Sequence, residues 1–118
     1  MPSNQIGFLI LRLAMAGVYL YFGFSQLFDP SAWTGIVPEW ATSLSHMSAA
    51  SLVLGNGILE VVLGSLLALG LLVVPVSVIL SIHLFVIALE FGLTPVGVRD
   101  FGLAFATLSI AFLSKDRS

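Results

Sequence analysis

Residues 49–72 read AASLVLGNGILEVVLGSLLALGLL, and this stretch decides the fold class of the chain. It holds a single charged residue, Glu60. It is long enough to cross a bilayer as a helix, since a hydrocarbon core of about 30 Å takes roughly 20 helical residues. Asn56, Glu60 and Gly64 follow one another at intervals of four, so they share one helix face. The stretch therefore predicts a transmembrane helix with a polar stripe.

Three further apolar stretches flank this one. Gly70 and Pro75 are natural helix breakers, so we expect a tight hairpin after the quoted stretch. The fold class we predict is all-α: a four-helix transmembrane bundle with a short interfacial segment between helices 1 and 2. The whole chain, residues 1–118, is expected to form one domain. The four predicted spans are about 6–28, 49–72, 75–92 and 99–114.

Composition supports a membrane protein and excludes several other classes. Hydrophobic residues make up 58% of the chain and charged residues 8%, whereas a soluble domain needs roughly a quarter of its residues charged. The net charge of -2, with scattered cations, provides no nucleic-acid surface. The chain has no cysteine, which excludes disulfides, thiolate-ligated iron–sulfur or zinc sites and dithiol redox chemistry within it. We expect no metal site and no built-in cofactor. The electrons of any redox reaction must then be carried by another molecule.

The two ends of the chain suggest its orientation. We expect the first apolar stretch to be a span and not a signal peptide, because no positive charge precedes it and Arg12 interrupts it. Lys115 and Arg117 follow the last span, and four spans bring both termini to one side. The positive-inside rule predicts that both termini are cytoplasmic, opposed only by Arg99 beside Asp100. We expect a multi-pass protein of a prokaryotic inner (plasma) membrane.

Polar residues recur at helical spacing in the other spans as well, so polar faces are expected to point inward and apolar faces toward lipid. The depth of each residue in its span, estimated at about 1.5 Å per residue, separates the ionisable residues and Gln26 into two sets. The inner set is a candidate ligand-binding or proton-handling layer of Arg12, Glu60 and His83. The outer polar cluster is Gln26, Glu90, Arg99 and Asp100.

Each candidate also has a purely structural interpretation. Arg12 and Glu60 can form a buried ion pair that only fixes helix register. His83 is more readily explained as a hydrogen-bonded core histidine than as a metal ligand, since no second ligand lies at suitable spacing. Arg99-Asp100 can be a simple helix start. The interfacial segment, residues 30–48, is either an amphipathic surface loop or a lid over a pocket.

Three motifs resemble the DoxX family of small four-helix membrane proteins, a group that also takes in DoxD-like and MauE-like proteins. LRLAMAGVYLYFGFSQLFDP (11–30), GNGILEVVLGSLLALGL (55–71) and VRDFGL (98–103) occur in the family's order, on the expected spans. The family's polar positions carry over to Arg12, Glu60, Arg99 and Asp100. Gln26 stands where many members have Lys, which weakens an anion-binding role for that end of the first span.

The resemblance implies association with redox systems. We therefore expect an accessory or quinone-linked membrane subunit of a redox system, with its polar intramembrane site around Arg12, Glu60 and His83 and a quinone as the candidate ligand. Such a chain is not an enzyme alone, and it works in the lipid bilayer with a protein partner or as a homo-oligomer.

Two other classes stay open. One is a proton-coupled small-molecule transporter, although small multidrug transporters carry their embedded Glu in the first span, where this chain has Arg12. The other is a structural or assembly membrane protein with no ligand. The substrate, the partner and the oligomeric state are not encoded in any motif.

Overall fold

The computed structural model describes residues 2–115, and it is built from helices joined by short turns. Four helices are long and apolar enough to cross a membrane, so the predicted all-α transmembrane bundle is confirmed. Arg117, on which the orientation prediction relies, lies outside the described residues. The helices are α1 (Ser3–Phe28), α2 (Glu39–Ser45), α3 (Ala49–Leu69), α4 (Val73–Phe91) and α5 (Pro95–Lys115).

The helix boundaries follow from local chemistry. The Ser48 side chain caps α3 by accepting a hydrogen bond from the Ser51 amide. The predicted hairpin after α3 is confirmed: Gly70 adopts a left-handed φ of 78°, and α4 begins at Val73. Pro75 therefore lies inside the first turn of α4, where a missing amide hydrogen costs nothing.

The last span begins one turn earlier than expected. We predicted its start near Arg99, but α5 begins at Pro95, whose fixed φ suits the first helical position. The Thr94 hydroxyl accepts a hydrogen bond from the Gly97 amide at 3.1 Å and so caps this turn. Arg99-Asp100 is therefore not a helix start. The pair lies in the second turn, which leaves Asp100 on the inner face of the bundle.

Glycines hold α1 and α3 in close contact. A Cβ atom placed on Gly23 would lie 2.8 Å from Val61 Cγ2, and one on Gly57 would lie 2.9 Å from the Gly23 carbonyl oxygen. A Cβ on Gly64 would lie 3.2 Å from Leu20. These three confirm the close packing expected of small residues in membrane helices. The helices α4 and α5 form a second closely packed pair, and the bundle consists of these two pairs.

The bundle has two ends, which we call the terminal end and the loop end. The terminal end carries the start of α1, the 70–72 turn and the end of α5; the loop end carries the interfacial segment and the 92–94 turn. The interfacial segment contains two 3₁₀ turns, Pro30–Ala32 and Thr34–Ile36, followed by α2. Large apolar side chains such as Ile10 and Phe105 are more than half exposed on the outside of the bundle, as lipid-facing residues are.

Candidate functional site

A cavity of about 630 Å³ lies between the α1–α3 pair and the α4–α5 pair, in the half of the bundle nearest the loop end. All four spanning helices contribute to its wall, and the interfacial segment covers it. Most of the lining is apolar, as in ordinary small-molecule pockets, with a few polar groups at defined positions. The polar lining side chains are Gln26, Asn56, Glu60, His83, Glu90, Arg99 and Asp100.

Glu60 and His83 form the innermost polar part of the cavity. The two come from facing helices, α3 and α4, and His83 Nε2 lies 3.6 Å from Glu60 Oε1. Glu60 is only 5% exposed. A carboxylate this well buried needs a partner of opposite charge, and a protonated His83 would supply one. The two helices thus bring a carboxylate and an imidazole together at the inner end of the cavity.

Asn56 orients Glu60. The Asn56 Nδ2 amide donates to Glu60 Oε1 at 3.0 Å and to Gln26 Oε1 at 2.7 Å. Asn56 and Glu60 are one turn apart on α3, and Gln26 reaches them from α1 across the glycine contact. The hydrogen bonds use both amide hydrogens of Asn56, so the Glu60 carboxylate is held in one orientation.

Two buried polar atoms at this place lack hydrogen bonds. Among the described residues, Glu60 Oε2 and His83 Nε2 have no hydrogen-bond partner. A buried, unsatisfied polar atom costs about 1–3 kcal/mol, more for a charged group, so folded proteins rarely leave one without a reason. Both atoms belong to residues that line the inner end of the cavity.

A second polar group lies nearer the mouth. Arg99 contacts Asp100 through two nitrogens, each 3.1 Å from Oδ1. The Asp100 side chain is 8% exposed and that of Arg99 52% exposed, so the carboxylate lies inside and the guanidinium at the opening. The Arg99 guanidinium also lies 5.9 Å from the centre of the Phe22 ring, within cation–π range.

The interfacial segment is attached to the spanning helices by two tryptophans. Trp40 Nε1 donates to Glu90 Oε1 at 2.6 Å, which links α2 to the end of α4. Trp33 Nε1 donates to Ser25 Oγ at 3.0 Å, and its ring packs edge-on against Phe22. Both indoles line the cavity, so the segment is its cover at the loop end.

Arg12 does not belong to this cavity. Its NH1 atom donates to the carbonyl oxygens of Leu67 and Ala68, at 2.7 and 3.1 Å, in the last turn of α3. A cation there adds hydrogen bonds to carbonyls at the end of the helix, where few amides remain to bond them, and interacts favourably with the helix dipole. The buried Arg12–Glu60 pair that we considered is thus replaced by two other arrangements, Arg12 with the end of α3 and Glu60 with Asn56 and His83.

The six remaining candidate residues all line the one cavity, so the inner and outer sets are two ends of one site. Sequence reasoning placed Asn56 on the correct helix face but did not single it out. Its spacing of four from Glu60 was the available signal. Trp33 and Trp40 belong to the segment 30–48, for which a surface loop and a lid are both open from the sequence; their place in the cavity wall favours the lid.

The comparisons with known proteins agree with this architecture. The DoxX family model matches residues 7–93, which take in α1 to α4 and end before Arg99 and Asp100. No curated protein and no solved structure matches the chain. The matched residues span well over half of the sequence, and four apolar helices surround the polar site. The chain is a multi-pass membrane protein that belongs to the DoxX family.

Proposed function

We propose that the chain is a membrane subunit of a redox system and binds a quinone or quinol in the cavity, with one ring oxygen at Glu60 and His83. The observation that carries the proposal is the pair of buried atoms without partners, Glu60 Oε2 and His83 Nε2, at the inner end of the cavity. A carboxylate oxygen accepts from a quinol hydroxyl, and a protonated imidazole nitrogen donates to a quinone carbonyl. The pair therefore suits both redox forms.

The size and lining of the cavity support a ring ligand of this kind. Pockets for small molecules typically measure about 300–1,000 Å³ and are mainly apolar, so 630 Å³ is ample for a substituted ring and the start of its tail. Phe22, Trp33 and Trp40 offer aromatic surfaces to the ring. Arg99 and Asp100 at the mouth can bind the second ring oxygen.

The chemistry of the site is proton transfer. Reduction of a quinone to a quinol takes up two electrons and two protons, and oxidation releases them. Glu60 and His83 can hold and pass one proton at the ring oxygen, as general acid–base residues do. The electrons travel to or from the redox centre of a partner protein that docks against this subunit. We place the complex in a prokaryotic inner membrane with both termini cytoplasmic, which the charge of Lys115 supports.

Quinone binding by the purified chain in lipid nanodiscs tests the proposal. A short-tailed ubiquinone or menaquinone analogue should bind saturably, and Glu60→Gln or His83→Ala should weaken that binding at least tenfold. Ser81→Ala is the matched control, because Ser81 is equally buried on α4 but bonds only the carbonyl of Val78 in its own helix. It should bind the analogue as the unchanged protein does.

Two results would contradict the proposal. One is no saturable binding to the unchanged protein, which favours a structural or assembly role. The other is equal loss of binding in Ser81→Ala and Glu60→Gln, which would show that binding reports general packing of the bundle and not the Glu60–His83 site.

A further inference from the structure

The cavity ends at Glu60 and His83, and the next layer toward the terminal end is closed. Gly64 lies one turn beyond Glu60 on α3, and a Cβ atom there would lie 3.4 Å from Tyr19 Cβ. The Tyr19 hydroxyl is 3.0 Å from Thr107 Oγ1 and donates to the Leu80 carbonyl oxygen at 3.4 Å. One side chain of α1 thus joins α4 and α5 directly beneath the cavity.

The following layer is apolar and closely packed. Leu67, Leu80 and Ile110 have no exposed surface, and Met15 and Val76 are at most 4% exposed. These residues come from α1, α3, α4 and α5 and form one contiguous core. Protein cores of this kind contain few voids as large as a water molecule. Such a core separates the cavity from the terminal end of the bundle.

Arg12 closes the terminal end beyond that core. Its two hydrogen bonds to the last turn of α3 fix the end of the α1–α3 pair next to the 70–72 turn. A Cβ on Gly70 would lie 2.7 Å from Arg12 NH1, so the guanidinium packs directly on the turn. The terminal half of the bundle is therefore held by polar contacts at both of its limits, Tyr19 and Arg12, with the apolar core between them.

From this asymmetry we infer that the ligand and the protons of the Glu60–His83 site exchange only with the loop side of the membrane. The inference rests on the proposed function. When a quinol is oxidised at the site, its two electrons pass to the partner's redox centre and its two protons leave past Asn56, Asp100 and Arg99 toward the loop end. In the reverse reaction, two protons are taken up along the same path. The site is one-sided, unlike that of an alternating-access transporter.

Labelling of single introduced cysteines shows from which side of the membrane the cavity is accessible, because the chain has no cysteine of its own. Asn56→Cys and His83→Cys place a thiol in the cavity, on separate helices. A membrane-impermeant thiol reagent is applied to sealed vesicles from one side or the other. Ser43→Cys in α2 reports the loop side, Leu71→Cys in the turn reports the terminal side, and Ser77→Cys is the matched buried control, since Ser77 has no exposed surface.

Both cavity thiols should react only when the reagent is on the side that labels Ser43→Cys, and Ser77→Cys should react from neither side. Reaction of Asn56→Cys or His83→Cys from the side that labels Leu71→Cys would overturn the inference. Failure of either cavity thiol to react from the loop side would overturn it too. These outcomes are separate from quinone binding: one-sided labelling without saturable quinone binding would refute only the proposed function.

Discussion

The contact between Gly57 and Gly23 allows a quantitative prediction for Gly57→Ala. The added methyl carbon would lie 2.9 Å from the Gly23 carbonyl oxygen and 3.1 Å from Cγ and Cδ2 of Leu27. The oxygen is part of the α1 backbone, so α1 must move, and overpacking of this kind costs about 1–3 kcal/mol. Replacing a helical glycine by alanine returns about 0.5–1 kcal/mol in backbone entropy. The net expectation is a less stable bundle.

Gly55→Ala is the control for the backbone entropy that replacing a helical glycine by alanine changes. Gly55 lies two residues away on the same helix, and a Cβ there would meet nothing within 4 Å. The entropy gain is nearly the same in both variants, so their difference in unfolding free energy should equal the steric cost alone, about 1–3 kcal/mol. Gly64→Ala should fall between them, because its nearest neighbour is the movable Leu20 side chain at 3.2 Å.

Reversible unfolding in mixed micelles, with increasing mole fraction of a denaturing detergent and helicity as the readout, measures this series. The expected order of stability is Gly55→Ala, then Gly64→Ala, then Gly57→Ala. Equal stability of Gly57→Ala and Gly55→Ala would refute the close approach of α1 and α3 at this point. It would also remove the basis for the Gln26–Asn56 contact, which depends on the same approach.

Two further substitutions test the closed half of the bundle. Arg12→Ala removes two charge-assisted hydrogen bonds to the last turn of α3, so it should destabilise the protein by about 1.5–3 kcal/mol in the same unfolding assay while quinone affinity stays unchanged. A loss of affinity with unchanged stability would instead place Arg12 at the ligand. Tyr19→Phe removes a buried hydroxyl from its two partners and should cost about 0.5–1.5 kcal/mol. Tyr21→Phe is its control, since Tyr21 is 70% exposed and should show no change.

Most of the fold could be predicted because the bilayer imposes it. Long apolar stretches must be helices in lipid, where every backbone polar group needs an internal partner. The hairpin at Gly70 followed from the backbone preferences of glycine. The predicted start of α5 near Arg99 is wrong because the charges of Arg99 and Asp100 do not mark the membrane boundary. Thr94 and Pro95 are the actual helix-start signal.

The site was harder to predict than the fold. The spacing of polar residues indicates the helix face and the depth of a side chain, but not the group that it contacts. Arg12 and Glu60 both lie on polar helix faces, at estimated depths that would allow contact, so an ion pair between them was a reasonable hypothesis. The structure separates them because the Gly23–Gly57 contact sets the register of α1 against α3 and brings Arg12 beside Leu67 and Ala68, about two turns from Glu60. Arg12 donates to backbone carbonyl oxygens and not to the Glu60 carboxylate, and no pattern of side chains in the sequence indicates such a contact.

The hydrogen bonds and ion pairs of the charged side chains explain how the bundle tolerates charge inside the membrane. A charged side chain facing lipid at mid-helix costs about 2.5–3.5 kcal/mol on insertion scales. Arg12 avoids this cost by bonding the α3 carbonyls, and Asp100 avoids it by pairing with Arg99. Glu60 differs from both, because one of its oxygens is bonded and the other, Oε2, has no partner among the described residues. This buried, unpartnered oxygen at the inner end of the cavity is therefore the feature of the site that most directly supports the proposed ligand.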